Sequence, residues 1–379
     1  MNSNVKDTVS TDRADSTDEA ATQSIELIEG LENGEDGFGS DYPIDTMLIR
    51  NDTRTVHDVL RRIETGSFVM DPEFQRDFVW PNDKQSKLIE SVLMRIPLPV
   101  FYLAEDTDGR MVVVDGLQRL STFQRFVHNK LRLDLRNQTA LHKKRFSDLA
   151  PKLQNRVEDC NLILYVIDSK VPERARLDIF ERVNGGVPLT RQQMRNCLYS
   201  GLGTRFLKDE AMKPLFIDAT GGSLDKQTMR DREFVNRFCA FTLLRLDLYK
   251  GDMDEFLAEA LKTMNKLGEP KLNDLSIQLH RSLSNNLAVF ERHAFRKHNK
   301  DQERRSILNA SLWDVMATGL AHYSKEIVEK NKDRLLEGFY ELMGSDEFVE
   351  SITYGTNDTK KVSSRFALVK EMLKRTLSD

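Results

Sequence analysis

The residues whose types and spacing could support chemistry lie between Met111 and Arg125, in the segment MVVVDGLQRLSTFQR. A run of apolar strand-forming residues ends at Asp115 and Gly116, and glycine accepts backbone angles that other residues resist. The apolar residues that follow recur at helical spacing. A helix that begins directly after such a turn presents unpaired N–H groups and the positive end of its dipole. This geometry predicts a site for an anion such as phosphate.

Polar side chains at the start of this helix could contribute to such a site. Arg119 carries a planar, charged donor fork that suits phosphate, and Asp115 could hold a magnesium ion or orient a water molecule. Gln118, Ser121 and Thr122 share a face separate from the apolar stripe. The alternative is that Asp-Gly is ordinary turn chemistry and that these polar side chains are only solvated.

Composition indicates a soluble chain with two domains, or one domain with a large extension. The chain has 379 residues, of which 31% are charged, and a mean hydropathy of −0.50. No apolar run approaches the roughly 20 residues of a membrane-spanning helix, and the N-terminus lacks the apolar core of a secretion signal. The three cysteines have no metal-ligand spacing. We therefore expect a cytoplasmic protein without a membrane partner.

The N-terminal segment differs in composition from the remainder. Residues 1–45 contain twelve Asp or Glu against two Lys or Arg, with few aromatic residues. Such a composition predicts a disordered acidic tail over residues 1–43. Removal of residues 1–40 is accordingly expected to leave circular dichroism and melting unchanged. The remaining chain is mildly basic, which permits contact with nucleic acid without requiring it.

The order of the predicted elements indicates an α+β domain over residues 44–200 and an all-helical domain over residues 201–379. Thr55 and Asp83 are predicted N-caps of two helices. The predicted strands are Val100 to Leu103, Met111 to Val114 and Leu162 to Ile167, together with an extended stretch from Phe68 to Asp71. From about residue 201 onward the apolar periodicity is helical almost throughout.

Four other features each have two interpretations. Trp80 could stack on a nucleotide base or fill the core. Asn184 and the two glycines after it could form a phosphate-binding nest or merely end a helix. Lys143 to Arg145 is a basic cluster that is either solvated or in contact with DNA backbone. HAFRKHN, from His293 to Asn299, is either a remnant of a nuclease site or a solvated helix surface.

Four short motifs occur in order along the chain and together carry a family resemblance. They are Q-R-x-x-x-W at 75–80, P-x-P at 97–99, D-G-x-Q-R at 115–119, and F-x-x-x-N at 180–184 with L-T at 189–190. This pattern resembles the N-terminal domain of the GmrSD-type modification-dependent restriction endonucleases, which also occurs in the phage-defence protein SspE. The resemblance implies a fold similar to the ParB/sulfiredoxin domains, in which a turn at a helix start binds nucleotide phosphates.

The resemblance also implies roles for individual residues. Asp115, Gln118 and Arg119 would be catalytic, and Asp115 would hold Mg²⁺. From the resemblance and the local sequence together, the residues expected to bind nucleotide are Gln75, Arg76, Trp80, Gly116, Ser121, Thr122 and Asn184. The sequence departs from the family pattern at Leu117, where many members have Gln, and at Gln193, where an acidic residue is expected. It also lacks a recognisable C-terminal HNH nuclease.

These observations predict a nucleotide-binding and nucleotide-hydrolysing component of a bacterial DNA restriction or phage-defence system. A nucleoside triphosphate would be its ligand or substrate, with Mg²⁺ as cofactor. DNA and a nuclease or another defence subunit would be its partners. Two alternatives stay open from the sequence, a non-catalytic nucleotide- or DNA-binding regulatory module and a ParB-like DNA nuclease.

Overall fold

A computed structural model describes residues 28–30, 49–70, 80–106, 108–183 and 190–378. The strands are β1 (Ile49–Thr55), β2 (Phe68–Val69), β3 (Phe101–Glu105), β4 (Met111–Asp115) and β5 (Asn161–Ile167). They form one five-stranded sheet in the order β1-β5-β3-β4-β2. β3 is parallel to β5 and antiparallel to β4, so the sheet is mixed.

Helices accompany the sheet and then make up the rest of the described chain. Those around the sheet are α1 (Val56–Glu64), α2 (Asn82–Leu93), α3 (Leu117–Val127), α4 (Pro151–Glu158), α5 (Glu173–Val183) and α6 (Arg191–Leu198). Those that follow are α7 (Leu202–Ala211), α8 (Pro214–Thr220), α9 (Arg230–Leu243), α10 (Met253–Lys266), α11 (Glu269–Phe290), α12 (Ala310–Leu320), α13 (Lys325–Lys330), α14 (Lys332–Met343), α15 (Asp346–Thr353) and α16 (Thr359–Leu377). The predicted α+β class with a helical continuation is confirmed. The likeness to ParB/sulfiredoxin domains and the domain boundaries stay predictions.

The two faces of the sheet contact different helices. Phe101, Leu103 and Leu164 face a core shared with α1, α2 and α3. Ala104 and Ile167 lie in a second cluster with residues of α5 and α6. This division follows from the alternation of side chains along a strand. The sheet therefore separates two packed layers, and α3 belongs to the first of them.

Two local predictions differ from the structure. β1 was not predicted, because its sequence, IRNDTRT, has little apolar content and it pairs only with β5 at the edge of the sheet. The N-cap of α2 is Pro81, and Asp83 lies inside the first turn. Thr55, by contrast, caps α1 as predicted, since its hydroxyl accepts the N–H of Asp58.

Helix α6 joins the sheet region to the helical region through buried polar groups. The guanidinium of Arg195 is fully buried and contacts the Asp254 carboxylate of α10. Gln193 accepts the N–H of Thr190 at 2.7 Å and donates to the carbonyl of Gln227, also at 2.7 Å. A carboxylate at position 193 could make the first bond but not the second, because it has no N–H to donate. This accounts for glutamine where the family pattern predicts an acidic residue.

The helical region is built around a buried cluster of charged and aromatic side chains. Asp314 is fully buried and accepts two bonds from Arg237, at 2.8 and 2.6 Å, and a third from Arg365 at 3.3 Å. Beside it, the buried indole of Trp313 donates to the carbonyl of Phe234 at 2.8 Å. Buried charges are stable only when they are paired and hydrogen-bonded. The bonds among Arg237, Asp314 and Arg365 therefore fix the relative positions of α9, α12 and α16.

Part of the predicted disordered tail is instead docked on the helical region. The N–H of Glu29 donates to Leu308 and its carbonyl accepts from Ala310, both at 2.9 Å. The Glu29 carboxylate contacts the Lys297 ammonium at 2.6 Å and the Asn309 amide at 3.1 Å. The prediction of a disordered segment is therefore wrong for residues 28–30. The remaining residues of the 1–43 tail lie outside the described residues.

No helix in the described ranges is both long enough and apolar enough to cross a membrane.

Truncation at two points tests the docking of Glu29. We expect a chain that lacks residues 1–27 to melt at nearly the same temperature as the full chain. A chain that lacks residues 1–30 should lose roughly 1–3 kcal/mol of stability, because charge-assisted hydrogen bonds are removed and Lys297 loses its partner. Thermal melts followed by circular dichroism measure the difference. Identical melting of the two truncated chains would contradict the docking, and it is the result that a wholly disordered tail predicts.

Candidate functional site

Gly116 forms the turn between β4 and α3. Its φ is +100°, in the left-handed region, and it is the N-cap of α3. A β-carbon built on it would lie 2.2 Å from Cδ1 of Phe101. Both the backbone angle and the close approach of the Phe101 ring require glycine here. The first turn of α3 receives no side-chain cap, so its N–H groups keep the donor capacity that an anion could use.

The Arg119 side chain turns into the protein. It is 8% exposed, and it donates to the carbonyls of Pro99 and Val100 and to the Asp115 carboxylate at 2.8 Å. The guanidinium also stacks over the Phe101 ring, 4.2 Å from its centroid. Burial lowers the pKa of Arg119, an effect that the Asp115 carboxylate opposes. In this geometry the group expected to grip phosphate instead holds Asp115 and the start of β3.

Asp115 is the most accessible charged group of the motif. Its side chain is 34% exposed, and one carboxylate oxygen accepts from Arg119. The other oxygen has no hydrogen-bond partner among the described residues. A carboxylate fixed on one side and open on the other can bind a cation or orient a water molecule. The described part of the chain contains no cluster of three or more His, Cys, Asp or Glu that could hold a metal ion alone.

Gln118 links the motif to Trp80. Its side-chain oxygen accepts the backbone N–H of Trp80 at 3.0 Å, and the Trp80 carbonyl accepts from Gln85 of α2. Gln85 in turn accepts from Arg125 of α3 at 3.0 Å. This chain of bonds brings the end of the Q-R-x-x-x-W motif to the D-G-x-Q-R motif. The Trp80 side chain is partly buried against the core on that face of the sheet, as its alternative interpretation predicts.

The two hydroxyl residues predicted to bind nucleotide have different environments. Thr122 is 1% exposed, and its hydroxyl donates to the carbonyl of Gln118 within the same helix. This position leaves it without access to a ligand. Ser121 is partly buried, and its hydroxyl oxygen has no hydrogen-bond partner among the described residues. Gln75, Arg76 and Asn184 lie outside the described residues, and their predicted roles stay predictions.

Sequence reasoning missed two tyrosines beside Asp115. Tyr102 of β3 is the register partner of Asp115 in β4 and of Tyr165 in β5, and the β3–β4 pairing is irregular between Tyr102 and Leu103. The rings of Tyr102 and Tyr165 lie 5.5 Å apart at 37°, and both are partly exposed. The alternation of side chains along β3 and β5 would have placed the two tyrosines on the face of the sheet opposite to that of Phe101 and Leu164. The sequence pattern could not have shown that β3 pairs with β5, because the two strands are about 60 residues apart in the chain.

The HAFRKHN segment is not a solvated helix surface. It begins in a short 3₁₀ helix, Glu291–His293, and continues in irregular backbone. His298 is 6% exposed, and its ring stacks on Phe339 with centroids 4.8 Å apart. Burial lowers the pKa of His298, and its Nδ1 lies 2.9 Å from the carbonyl of Arg296. These contacts make it part of the aromatic core of the helical region.

Comparison with known families identifies the sheet region. Residues 56–200 match the family described as GmrSD restriction endonuclease, N-terminal domain. This segment is a GmrSD-type N-terminal domain, which confirms the resemblance carried by the four motifs. The family connects this part of the chain with DNA restriction. Among curated proteins, no match to the chain is found.

Paired glycine substitutions test the turn that forms the site. Gly109→Ala places a side chain in open space at φ +77°, and should cost about 1 kcal/mol for the left-handed backbone. Gly116→Ala meets the same strain and also the Phe101 ring, so it should cost roughly 2–4 kcal/mol. Urea unfolding of both variants measures the difference. Equal losses would show that the contact with Phe101 does not constrain this turn.

Proposed function

We propose that the GmrSD-type domain binds a nucleoside triphosphate at the start of α3 and hydrolyses it as part of a DNA restriction or phage-defence system. The observation that carries the proposal is the turn at Gly116. It places uncapped helix N–H groups beside a carboxylate that is fixed on one side and accessible on the other. The phosphates would accept from these N–H groups, where the helix dipole favours negative charge.

Asp115 supplies the acidic group that such a site needs. Mg²⁺ is commonly held by one or two carboxylates together with substrate phosphates and water, so the single open oxygen of Asp115 fits as a protein ligand. The ion would neutralise charge on the phosphates. Arg119 acts here as a positioning residue, since its bond of 2.8 Å fixes the carboxylate. Gln118 is bound to Trp80 through its oxygen and keeps its amide N–H groups to orient water or a phosphate oxygen.

The tyrosine pair provides a surface for the rest of the nucleotide. Tyr102 lies directly across from Asp115 in the sheet, and aromatic rings bind bases by stacking without base selectivity. A base on Tyr102 and Tyr165 would leave its phosphates near the end of β4. Trp80 supports the site from the other side, through its backbone bond to Gln118. Nucleotide turnover would then be coupled to restriction, with DNA and a nuclease or another subunit as partners.

The experiment measures nucleotide binding and phosphate release separately. Full-length protein is melted with each of the four ribonucleoside triphosphates and Mg²⁺, and the ligand at 100 times its Kd should add about 2.7 kcal/mol of stability. Phosphate release is then measured with and without duplex DNA. Asp115→Asn should lower turnover about 10²–10³-fold, because a group that acts on the developing charge is lost. Binding should change much less, since most phosphate contacts are to backbone N–H groups.

Asp108→Asn is the matched control, because Asp108 is an exposed carboxylate at the other end of β4, with a side chain 73% accessible. It should leave both measurements unchanged. If no nucleotide raises the melting temperature, the proposed site does not exist. Binding without phosphate release under any condition would support a regulatory module. Cleavage of DNA without nucleotide, stopped by Asp115→Asn, would support a nuclease.

A further inference from the structure

An exposed basic surface lies outside the proposed nucleotide site, on the connection between α3 and α4. Residues 130–145, here called the basic ribbon, contain six Lys or Arg against a single Asp. The six cations are all exposed, and they are Lys130, Arg132, Arg136, Lys143, Lys144 and Arg145. The sequence identified the last three as a small cluster. The structure adds the other three and shows how they are held.

Buried leucines orient the basic ribbon. Leu131, Leu133 and Leu135 are 1%, 1% and 6% exposed, and they alternate with side chains that point outward. Leu133 also exchanges two backbone hydrogen bonds with the returning segment, donating to Lys144 at 3.0 Å and accepting from Lys143 at 2.8 Å. The buried leucines and these two backbone bonds therefore hold the ribbon in place and leave its basic side chains exposed.

The inner side of the ribbon is anchored on α2. Asn82 donates to the carbonyl of Arg132 at 3.1 Å, and Ser86 accepts the N–H of Asp134 at 2.8 Å. Lys84 and Lys87 of the same helix are exposed and extend the cationic surface. Asn82 is two residues from Trp80, whose backbone is bonded to Gln118. The basic ribbon thus borders the loop that meets the D-G-x-Q-R motif.

The cations of the basic ribbon are not neutralised by their surroundings. Asp134 lies 3.9 Å from Arg136 and 3.7 Å from His142, and the Asp148 carboxylate accepts a backbone N–H. Within the described ranges, Lys130, Arg132, Lys143 and Lys144 make no ion pair. Lys143 has a φ of +63°, a left-handed conformation that costs free energy for a residue other than glycine. A lysine at this turn places one more charge on the exposed side.

We propose that the basic ribbon binds the phosphate backbone of double-stranded DNA. A row of exposed cations, of which four make no ion pair among the described residues, suits a regular polyanion, because each contact with a phosphate releases a condensed counterion. The ribbon contains no Phe, Tyr or Trp, whereas binding of single strands relies on aromatic stacking. Its contacts are therefore with duplex backbone, and they position the molecule without reading sequence. The family match to restriction endonucleases favours DNA over duplex RNA as the partner.

The test follows the binding of a fluorescein-labelled 20-base-pair duplex DNA by fluorescence anisotropy over a range of salt concentrations. A ribbon variant carries Lys143→Gln, Lys144→Gln and Arg145→Gln together. It should bind at least tenfold more weakly, and the slope of log K against log salt should fall by about 0.9 for each phosphate that the variant no longer neutralises. Circular dichroism checks that the variant is folded. The measurement is made without nucleotide.

The matched control neutralises three exposed lysines of the helical region, Lys271→Gln, Lys300→Gln and Lys360→Gln. It removes the same charge from the chain but should leave the salt slope unchanged. Equal weakening by both triple variants, or no weakening by the ribbon variant, would overturn the proposal. So would tighter binding of a 20-base-pair RNA duplex than of the DNA. Because no nucleotide is present, failure of the nucleotide site would not change the result.

Discussion

The geometry of the candidate site depends on one buried guanidinium. Arg119 of α3 joins the segment that leads into β3 to the end of β4, since it binds the carbonyls of Pro99 and Val100, the ring of Phe101 and the carboxylate of Asp115. A lysine could not make this set of contacts, because its single ammonium has neither the planar fork nor the stacking face. Without Arg119, the carbonyls before β3 and the carboxylate at the end of β4 would need water as their hydrogen-bond donor. The position of Asp115 is thereby set by the fold rather than by a ligand.

A similar use of buried charge connects the two parts of the molecule. Arg195 of α6 is fully buried and contacts Asp254, while Asp314 is shared by Arg237 and Arg365. Such groups add little net stability compared with apolar residues of equal volume, but removing one partner is costly. Hydrogen-bonded charges also accept fewer alternative arrangements than apolar contacts do. The relative placement of the sheet and the helices is therefore set by directional hydrogen bonds between buried charges as well as by the burial of apolar side chains.

Sequence reasoning succeeded where the signal is local. The strand, turn and helix around Gly116 were predicted because the change of period and the glycine lie within fifteen residues. The environment of Arg119 was not predicted, because its carbonyl partners lie 19 and 20 residues away on another segment. Tyr102 and Tyr165 became neighbours only through strand pairing. β1 and residues 28–30 were missed because charged sequences can form an edge strand or dock when a distant partner supplies the complementary groups.

The docking of Glu29 has a consequence for how the chain is made. Glu29 and Asn309 are 280 positions apart, and Gly30 contacts Thr356, which is 326 positions away. At a synthesis rate of about 5–20 residues per second, these residues wait on the order of 15–65 s for their partners to leave the ribosome. Residues 28–30 are thus among the last to reach their native contacts. During that interval Glu29 and Gly30 lack these partners, and afterwards they are bonded to Asn309 and Thr356, which precede α12 and α16.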